Sequence, residues 1–362
     1  MEDYGTNLAE GFAQRIISIY FDKALTPEIT NDEYEGEIEN KATVLNIPTV
    51  FAPQLQNYTG ADLNDDELDE SVAVLQTNQQ KAFNIKIKSL DVLKSFIKKP
   101  EGSALDQVTN LLLEASDAYV LGLYGDVAAG NRDGTDYATG TVTVDVTTGA
   151  VTGSGTTFTS AMVGRGFKAA GHTKWYRVKS YSSSTAIVIE DDYDDVASAY
   201  TGGAIGSGAA YTIEAATALQ VTKSNIYARL EALAVKLNER KIPRENRWVV
   251  LPPAIASLVR QAPEYIPAVD KAYEDVVKKG FITMMAGFAL YESNQYSGNS
   301  TNGWHVLAGH KSAIVYATAM TESEVEPWIA KNFGKRYKGL NIYGAKVPDE
   351  RRKALAEGFW KL

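Results

Sequence analysis

Apolar and polar residues alternate over much of residues 29–88, which is the pattern of half-buried strands. The alternation runs through EYEGEIENKATVLNIPTV and AVLQTNQQKAFNIKIKS, and the acidic, turn-rich stretch NYTGADLNDDELDE lies between them. The pattern predicts a long arm of two extended strands. An isolated two-stranded hairpin is only marginally stable in water, so we expect this arm to rest on a neighbouring surface.

The period changes to three and four in the next stretch, SALDQVTNLLLEASDAYVLGLYGDVAAG. Apolar or aromatic side chains recur on one helical face there, at Leu105, Val108, Leu112, Ala115 and Tyr119. Ser103 with Asp106 resembles a capping box, while Gly125 and Gly130 are typical of a helix exit. The spacing predicts one long amphipathic helix over roughly residues 104–128.

Residues 137–214 have a different pattern, with period two and short runs. No proline occurs between Pro100 and Pro243, and 11 of the 29 glycines lie between Gly140 and Gly208. Strand-like runs recur between turn formers, namely TVTVDV, KWYRVKSY, TAIVIE and AAYTIE. This pattern predicts a small β sandwich or barrel with a core of its own. Insertion into a host domain requires its two ends to lie close together, and excising it should leave a soluble host.

The segment VTGSGTTFTSAMVGRGF, residues 151–167, is rich in glycine but does not fit a phosphate-binding loop. A Walker loop needs GxxxxGK followed by Ser or Thr, and a dinucleotide fingerprint needs glycine where Phe158 stands. A solvated linker would expose too much apolar surface. We therefore expect the glycines to serve turns and the large side chains to anchor the core: Gly153, Gly155, Gly164 and Gly166 in turns, Phe158, Met162 and Phe167 in the core.

After residue 215 the pattern becomes mixed again. SNIYARLEALAVKLNERKIP places Ile226, Leu230, Leu233 and Leu237 on one helical face and ends at a proline. RWVVLPPAIASLVRQ predicts a buried strand over residues 248–251, then a helix after two prolines. Short apolar strand cores follow in FALYESNQY, WHVLAGHKSAIVYA and GLNIYGAKVPDERR. The chain is thus predicted to be one domain interrupted by another.

Composition limits the class of protein. The 362 residues are 44% hydrophobic and include 20 Tyr, 11 Phe and 5 Trp, which predicts a globular chain with a sizeable core. Cysteine is absent, which excludes disulfides and thiolate chemistry and fits a reducing compartment. The acidic N-terminus lacks the pattern of a secretory signal, and no apolar run approaches the ~18 residues of a membrane span.

Charge is distributed unevenly. Residues 1–40 hold ten acids and two bases, residues 62–70 hold six acids and no base, and residues 331–353 hold eight bases and two acids. These regions are complementary, which suggests contact between neighbouring copies; solvated surface is the plainer interpretation of any single charge. The candidates for inter-subunit contact are Glu33, Glu35, Glu37, Asp65, Asp66, Lys335, Arg336, Arg351 and Arg352. The net charge of −9 argues against a general nucleic-acid binder.

Candidate chemistry is sparse, and we assign no catalytic, cofactor-binding or metal residue. The three histidines, His172, His305 and His310, lack HExxH spacing, and no GxSxG elbow occurs. The acidic run 191–195 could attract Ca²⁺ but lacks the glycine and terminal Glu of an EF-hand loop. Paired carboxylates of a glycosidase remain open. Trp175 and Tyr176 could stack on sugars, although strand alternation sends them to opposite faces, so at least one belongs to the core.

The order of these elements resembles the major capsid proteins of tailed phages, which have the Hong Kong 97 fold. The resemblance is carried by NKATVLNIPTV, VVLPPAIASLV, GFALYESNQY, GHKSAIVYA and GLNIYGAKV, and it covers most of residues 1–136 and 215–362. The implied class is α+β with six parts: an N-terminal arm (1–28), an extended β-hairpin loop (29–88), a spine helix and peripheral domain (89–136), an inserted all-β domain (137–214), an axial domain returning to the peripheral domain (215–335), and C-terminal peripheral strands (336–362).

The resemblance implies a structural subunit that catalyses no reaction. Such a subunit forms pentamers and hexamers of an icosahedral shell, which encloses double-stranded DNA without reading its sequence. A scaffolding protein, a portal and a decoration protein are the implied partners, with the virion as location after assembly in the host cytoplasm, and no membrane. The alternatives are a carbohydrate-binding surface protein or adhesin that uses the β insert, an encapsulin-like compartment shell, and a hydrolase.

Overall fold

The computed structural model describes residues 25–31, 44–49, 71–88, 100–191, 200–203, 205–263, 281–296, 298–326 and 334–362. These residues form a mixed α+β structure with one two-stranded sheet, one three-stranded sheet and two eight-stranded sheets. Its α-helices are α1 (Thr26–Ile29), α2 (Pro100–Leu121), α3 (Ile226–Glu239) and α4 (Pro253–Gln261). None of the helices so described is long and apolar enough to cross a membrane.

Helix α2 is the long helix that the spacing predicts, shifted toward the N-terminus. It starts at Pro100 rather than residue 104, because proline suits the first turn of a helix, where no amide needs a partner. It ends at Leu121 rather than at residue 128, and a 3-10 helix continues over Gly122–Asp126. Two glycines in that short stretch disfavour regular α-helix.

The predicted two-stranded arm is only partly a hairpin. Strands β1 (Val44–Thr49) and β2 (Ser71–Gln76) pair antiparallel, with Ile47 and Leu75 buried against the sheet that carries Val315. Strand β3 (Gln79–Lys88) leaves this pair and joins another sheet. The alternation that predicts one arm therefore serves two different sheets, and Asn78 lies at the point of exchange.

A three-stranded antiparallel sheet packs against α2. Its order is β19-β20-β3, where β19 is Val315–Glu326 and β20 is Gly334–Lys346. Val108 and Leu112 of α2 meet Val325 and Tyr337 of this sheet in a small core. Val108 and Leu112, two of the five residues on the predicted helix face, are thereby buried.

A second eight-stranded sheet forms the centre of the host domain. Its order is β13-β21-β18-β14-β16-β15, with β4 beside β21 and β17 beside β18. The strands are β4 (Arg132–Asp133), β13 (Leu219–Gln220), β14 (Arg247–Leu251), β15 (Phe281–Met285), β16 (Phe288–Glu292), β17 (Gly298–Asn299), β18 (Gly303–His310) and β21 (Leu355–Lys361). The four apolar residues predicted on one face of α3 are all fully buried against it. Pro252 and Pro253 end β14 and start α4 as predicted.

The segment 25–31 packs on the opposite face of this sheet. Ile29 lies in a second core with Val120 and Trp248. The backbone amide and the hydroxyl of Thr26 both donate to Asp117 of α2, at 3.1 and 2.5 Å. The N-terminal segment is thus fixed to α2 at this point.

Residues 135–217 form a separate eight-stranded sheet with its own core. Its order is β11-β6-β7-β10-β9-β8-β12-β5. The strands are β5 (Thr135–Tyr137), β6 (Thr141–Val144), β7 (Ala150–Ser154), β8 (Gly166–Ala169), β9 (Tyr176–Ser183), β10 (Ala186–Asp191), β11 (Ile205–Ala209) and β12 (Tyr211–Thr217). Thr135 pairs with Thr217, so the two connections to the host run side by side. We call this unit the inserted sheet.

The glycine-rich stretch lies inside the inserted sheet. Phe158, Met162 and Phe167 are all buried in its core, which confirms their prediction as anchors. Gly155 and Gly164 have φ of +70° and +82°, a left-handed conformation that favours glycine. Gly153 and Gly166, predicted to serve turns, lie instead within β7 and β8. A Cβ on Gly166 would come 2.4 Å from Glu214 Oε1, so glycine is needed there for close approach.

Candidate functional site

The acidic half of the predicted inter-subunit contact cannot be placed. Glu33, Glu35, Glu37, Asp65 and Asp66 lie outside the described residues. The basic half lies within them and falls into two groups.

Lys335 and Arg336 lie at the start of β20. Lys335 is exposed and Arg336 is half-buried. In the sheet register Arg336 stands between Lys86 of β3 and Glu326 of β19. Residues directly opposite in antiparallel strands share a face, so Arg336 has a cation on one side and an anion on the other. This part of the predicted basic patch is a sheet face of mixed charge.

Arg351 and Arg352 lie in a 3-10 helix that follows β20. Arg351 is partly exposed and donates to the carbonyl of Ser312 at 3.2 Å. Arg352 is only 8% exposed, and its Nε donates to the carbonyl of Asp126 at 2.9 Å. Arg352 therefore joins two segments of its own chain, and its role in contact between subunits stays a prediction.

The two basic groups do not form one patch. Residues 337–346 of β20 separate Arg336 from the second group, and a strand rises about 3.3 Å per residue, so the far end of β20 lies roughly 33 Å from Arg336. Neighbours at two different positions would be needed to meet both groups. The charge pattern of the sequence contains no information about this separation.

The aromatic pair considered for sugar binding does not form an exposed platform. Tyr176 is buried in the core of the inserted sheet, as strand alternation predicts for one of the two. Trp175 is partly buried, and a Cβ on Gly130 would come 2.9 Å from its Cδ1. The indole therefore packs on the host backbone and is not free to stack on a glycan.

The histidines contact other side chains. His305 Nδ1 lies 2.7 Å from Glu357 Oε1, and His310 Nδ1 lies 2.7 Å from the hydroxyl of Ser312. Asp191 accepts from Lys174 at 2.9 Å and from Thr201, while the rest of its acidic run is outside the described residues. Among the described residues no group of three or more Asp, Glu or His could hold a metal ion.

A cluster of buried charges, which the sequence analysis missed, lies where the inserted sheet meets the host. We call it the junction cluster; it consists of Arg132, Arg165, Glu214, His305 and Glu357. Glu357, on β21, is fully buried. Its carboxylate accepts from Arg132 Nε at 2.8 Å and from Arg165 Nη1 at 2.8 Å. Arg132 belongs to the host and Arg165 to the inserted sheet, so one carboxylate binds both parts.

Glu214 forms the second half of the junction cluster. It lies on β12 and accepts from the backbone amide of Gly130 at 2.8 Å and from that of Gly166 at 3.1 Å. Arg132 Nη1 reaches the same carboxylate at 3.3 Å. Arg132 is thus shared between two carboxylates, and both ion pairs involve side chains that are at most 3% exposed.

Aromatic rings cover one side of the cluster. The imidazole of His305 lies between the rings of Tyr124 and Phe359, at centroid distances of 4.0 and 4.4 Å and nearly parallel to both. The guanidinium of Arg165 lies 5.1 Å from the centroid of Phe359. Beside this stack a cleft of about 320 Å³ separates the inserted sheet from the host, with Val163 at its edge.

The two carboxylates have opposite pKa shifts. Burial raises the pKa of Glu357, but Arg165, His305 and Arg132 outweigh it and lower that pKa to about 2. Burial raises the pKa of Glu214, and the amide of Gly130 and Arg132 oppose it only in part. Glu357 is therefore the firmly ionised member of the cluster, and its charge is what the arginines compensate.

A sequence signal for Glu357 exists, although it is weak. It is a single acid in LAEGFW, an otherwise apolar run that predicts a buried strand. A lone charge in such a run needs a partner, because an isolated buried charge is strongly unfavourable. The partner Arg165 is 192 residues away, and nothing in the sequence pairs them.

No protein-family model matches the chain, and no curated protein has a significantly similar sequence. Solved structures are similar in fold. A structure from Mycobacterium phage Che8 is 16% identical with a TM-score of 0.53, over 92% of this chain and 90% of that chain. The capsid of Ralstonia phage GP4 is 10% identical with a TM-score of 0.54, over 94% of this chain and 92% of that chain.

At these identities the similarity establishes the fold. The long helix, the hairpin, the central sheet and the late strands together form the α+β, Hong Kong 97-type fold of phage capsids, as the sequence predicts. The match extends over nearly the whole length of both chains.

Proposed function

We propose that this chain, which has the fold of phage capsids, is the major capsid protein of a tailed double-stranded DNA bacteriophage. The observation that carries the proposal is the likeness to the GP4 capsid over more than nine tenths of both chains. The subunit self-assembles into the pentamers and hexamers of an icosahedral head. It catalyses no reaction, needs no cofactor, and is located in the virion after assembly in the host cytoplasm.

The hairpin of β1 and β2 supports this proposal. It buries Ile47 and Leu75 on its own subunit, but a two-stranded ribbon has little core and gains stability from further contact. A contact between unlike surfaces of neighbouring copies closes into rings, which are the units of a shell. We also propose the six-part division given by the sequence, from the arm (1–28) to the C-terminal strands (336–362).

We propose the usual partners of such a shell as well. They are a scaffolding protein, a portal and a decoration protein, together with DNA that is enclosed without sequence-specific binding. The net charge of −9 supports a wall that confines DNA without adhering to it, because tight DNA binding requires clustered cations.

Closed shells or capsomers are the expected product when the chain is expressed with its scaffolding protein. Negative-stain electron microscopy and sedimentation velocity measure this directly. A strictly monomeric chain under all such conditions would contradict the proposal. Shells that package a protein cargo and no DNA would indicate an encapsulin-like compartment, and a monomer that binds glycan arrays would indicate an adhesin.

We further propose that the acidic residues 33–37 and 65–66 of one subunit meet the basic residues of its neighbours. Lys335 and Arg336 form one contact site for the acidic residues, and Arg351 forms a second, since β20 separates them. Arg352 is left out because it is buried. Contacts of this kind steer assembly and set its specificity more than its strength.

Charge reversal at Lys335 and Arg351 should therefore reduce assembly without reducing folding. The double variant Lys335→Glu/Arg351→Glu is expected to lower the assembled fraction severalfold at 0.1 M salt, with a melting temperature near that of the parent. Lys223→Glu, an exposed lysine elsewhere, makes a single such reversal and serves as the control. Equal assembly of the double variant and this control would eliminate the contact.

A further inference from the structure

The inserted sheet and the host have separate apolar cores. The buried core of the inserted sheet draws on residues between Val142 and Ile213, and neither large host core includes any of them. What joins the two parts is mainly polar: the junction cluster, and Arg177, whose Nη2 lies 3.4 Å from the carbonyl of Gly125, with the indole of Trp175 packed on Gly130 beside them. Each of these groups can be solvated if the parts separate, whereas an apolar core cannot be opened without loss of its burial.

The two connections between the host and the inserted sheet also form a hinge. The connections at Thr135 and Thr217 are paired side by side, and Glu214 lies three residues from the second of them. Arg165 contacts Glu357 at another point of the junction, where the cleft of about 320 Å³ already separates the two parts. Rotation about the paired connections would widen that cleft while leaving both sheets intact.

We propose that the inserted sheet docks on the host in a reversible step separate from the folding of either part. The docked state is held by the ion pair between Glu357 of the host and Arg165 of the inserted sheet. The carboxylate of Glu357 holds the guanidinium of Arg165 through both oxygens, at 2.8 Å each. Arg132 holds the same carboxylate in register on the host side. Phe359 supports the guanidinium from one face.

The absence of cysteine makes the docking step measurable in the full chain. Spin labels at Tyr181→Cys on the inserted sheet and Val235→Cys on α3 occupy exposed positions. Pulsed dipolar spectroscopy should give one narrow distance for this labelled parent. Glu357→Gln keeps the shape of the side chain and removes its charge. It should add a second, longer distance, because loss of one partner of a buried pair raises the undocked fraction by roughly a hundredfold or more.

Two further variants make the test specific. Arg165→Gln removes the ion pair between the inserted sheet and Glu357 but leaves Arg132 and His305 in contact with Glu357. It should therefore give the same second distance. Lys338→Gln removes an exposed pair with Glu324 inside the host and should leave the single distance unchanged. Circular dichroism checks that both parts stay folded.

Either of two results would overturn the proposal. A single unchanged distance in both Glu357→Gln and Arg165→Gln would mean that other contacts hold the parts together. Complete loss of folded structure in both variants would mean that docking and folding are one step. A second distance in both, with folded spectra, is the result the proposal requires.

Discussion

Arg132→Met is expected to lower the free energy of unfolding by about 3–5 kcal/mol. The side chain of Arg132 is 1% exposed and is shared by Glu357 and Glu214, whose side chains are at most 3% exposed. Its loss leaves two buried carboxylates with less compensation, while methionine fills the volume without adding a polar group. Urea denaturation at neutral pH measures the change as a shift of the midpoint with the slope unchanged.

The control is Lys338→Met, which removes one partner of the exposed ion pair with Glu324. An exposed pair is worth about 0–1 kcal/mol, so this variant should differ little from the parent. A double variant, Arg132→Met/Glu214→Gln, should recover part of the loss, because Glu357 keeps its pair with Arg165 and no second carboxylate stays buried without an arginine. A change below about 1 kcal/mol in Arg132→Met itself would show that the cluster is not the electrostatic link described.

Excision of the inserted sheet, joining Asp136 to Ala215 with a short flexible linker, is expected to leave a soluble but less stable host. The host has apolar cores of its own, which include none of residues 137–214. Those residues do include Arg165 and Glu214, so the excised host keeps Glu357 with one arginine fewer, and the amide of Gly130 loses its acceptor. Water reaches these groups once the insert is gone, so the expected cost is a lower melting temperature and not a loss of folding. Solubility after expression and the melting curve of the soluble fraction measure the outcome.

The double variant Arg132→Met/Glu357→Gln should have opposite effects with and without the inserted sheet. It removes the charges that excision leaves incompletely compensated, so it should raise the melting temperature of the excised chain. In the full chain the same pair removes the ion pairs of Arg165 and Glu214 and should destabilise. An insoluble host after plain excision would contradict the separate folding of the two parts, and an unchanged melting temperature in the excised double variant would show that solvent already compensates Glu357.

Elements with a strong local period could be predicted from sequence. The apolar face of α3 and the strands β9 and β10 follow from spacing, because a single buried face selects their residues. The strand before Pro252 is buried on both faces and follows from its continuous apolar run. The alternation in β3 was also visible, but its partner was not. Period two reports that a strand is half-buried and says nothing about which strand lies beside it.

The charged contacts could not be predicted for a related reason. The segment 331–353 looks uniform in sequence, yet it contains an exposed Lys335 at one end of a long strand and a buried Arg352 beyond the other. Glu357 depends on Arg132 and Arg165, which are far apart in sequence and reach it only after two sheets have formed. Composition gives only the number of charged residues, whereas the role of each depends on whether it is buried in the folded chain.

The separation of 192 residues between Arg165 and Glu357 also sets a delay between the synthesis of the two residues. A ribosome adds about 5–20 residues per second, so roughly 10–40 s pass between the synthesis of the two. The strands of the inserted sheet are complete at Thr217, long before the last strand of the host emerges. Each newly made subunit therefore carries a finished sheet on an unfinished host for most of that interval. A stalled ribosome would hold it in that state, with Arg165 exposed to whatever chaperone or nucleic acid is near.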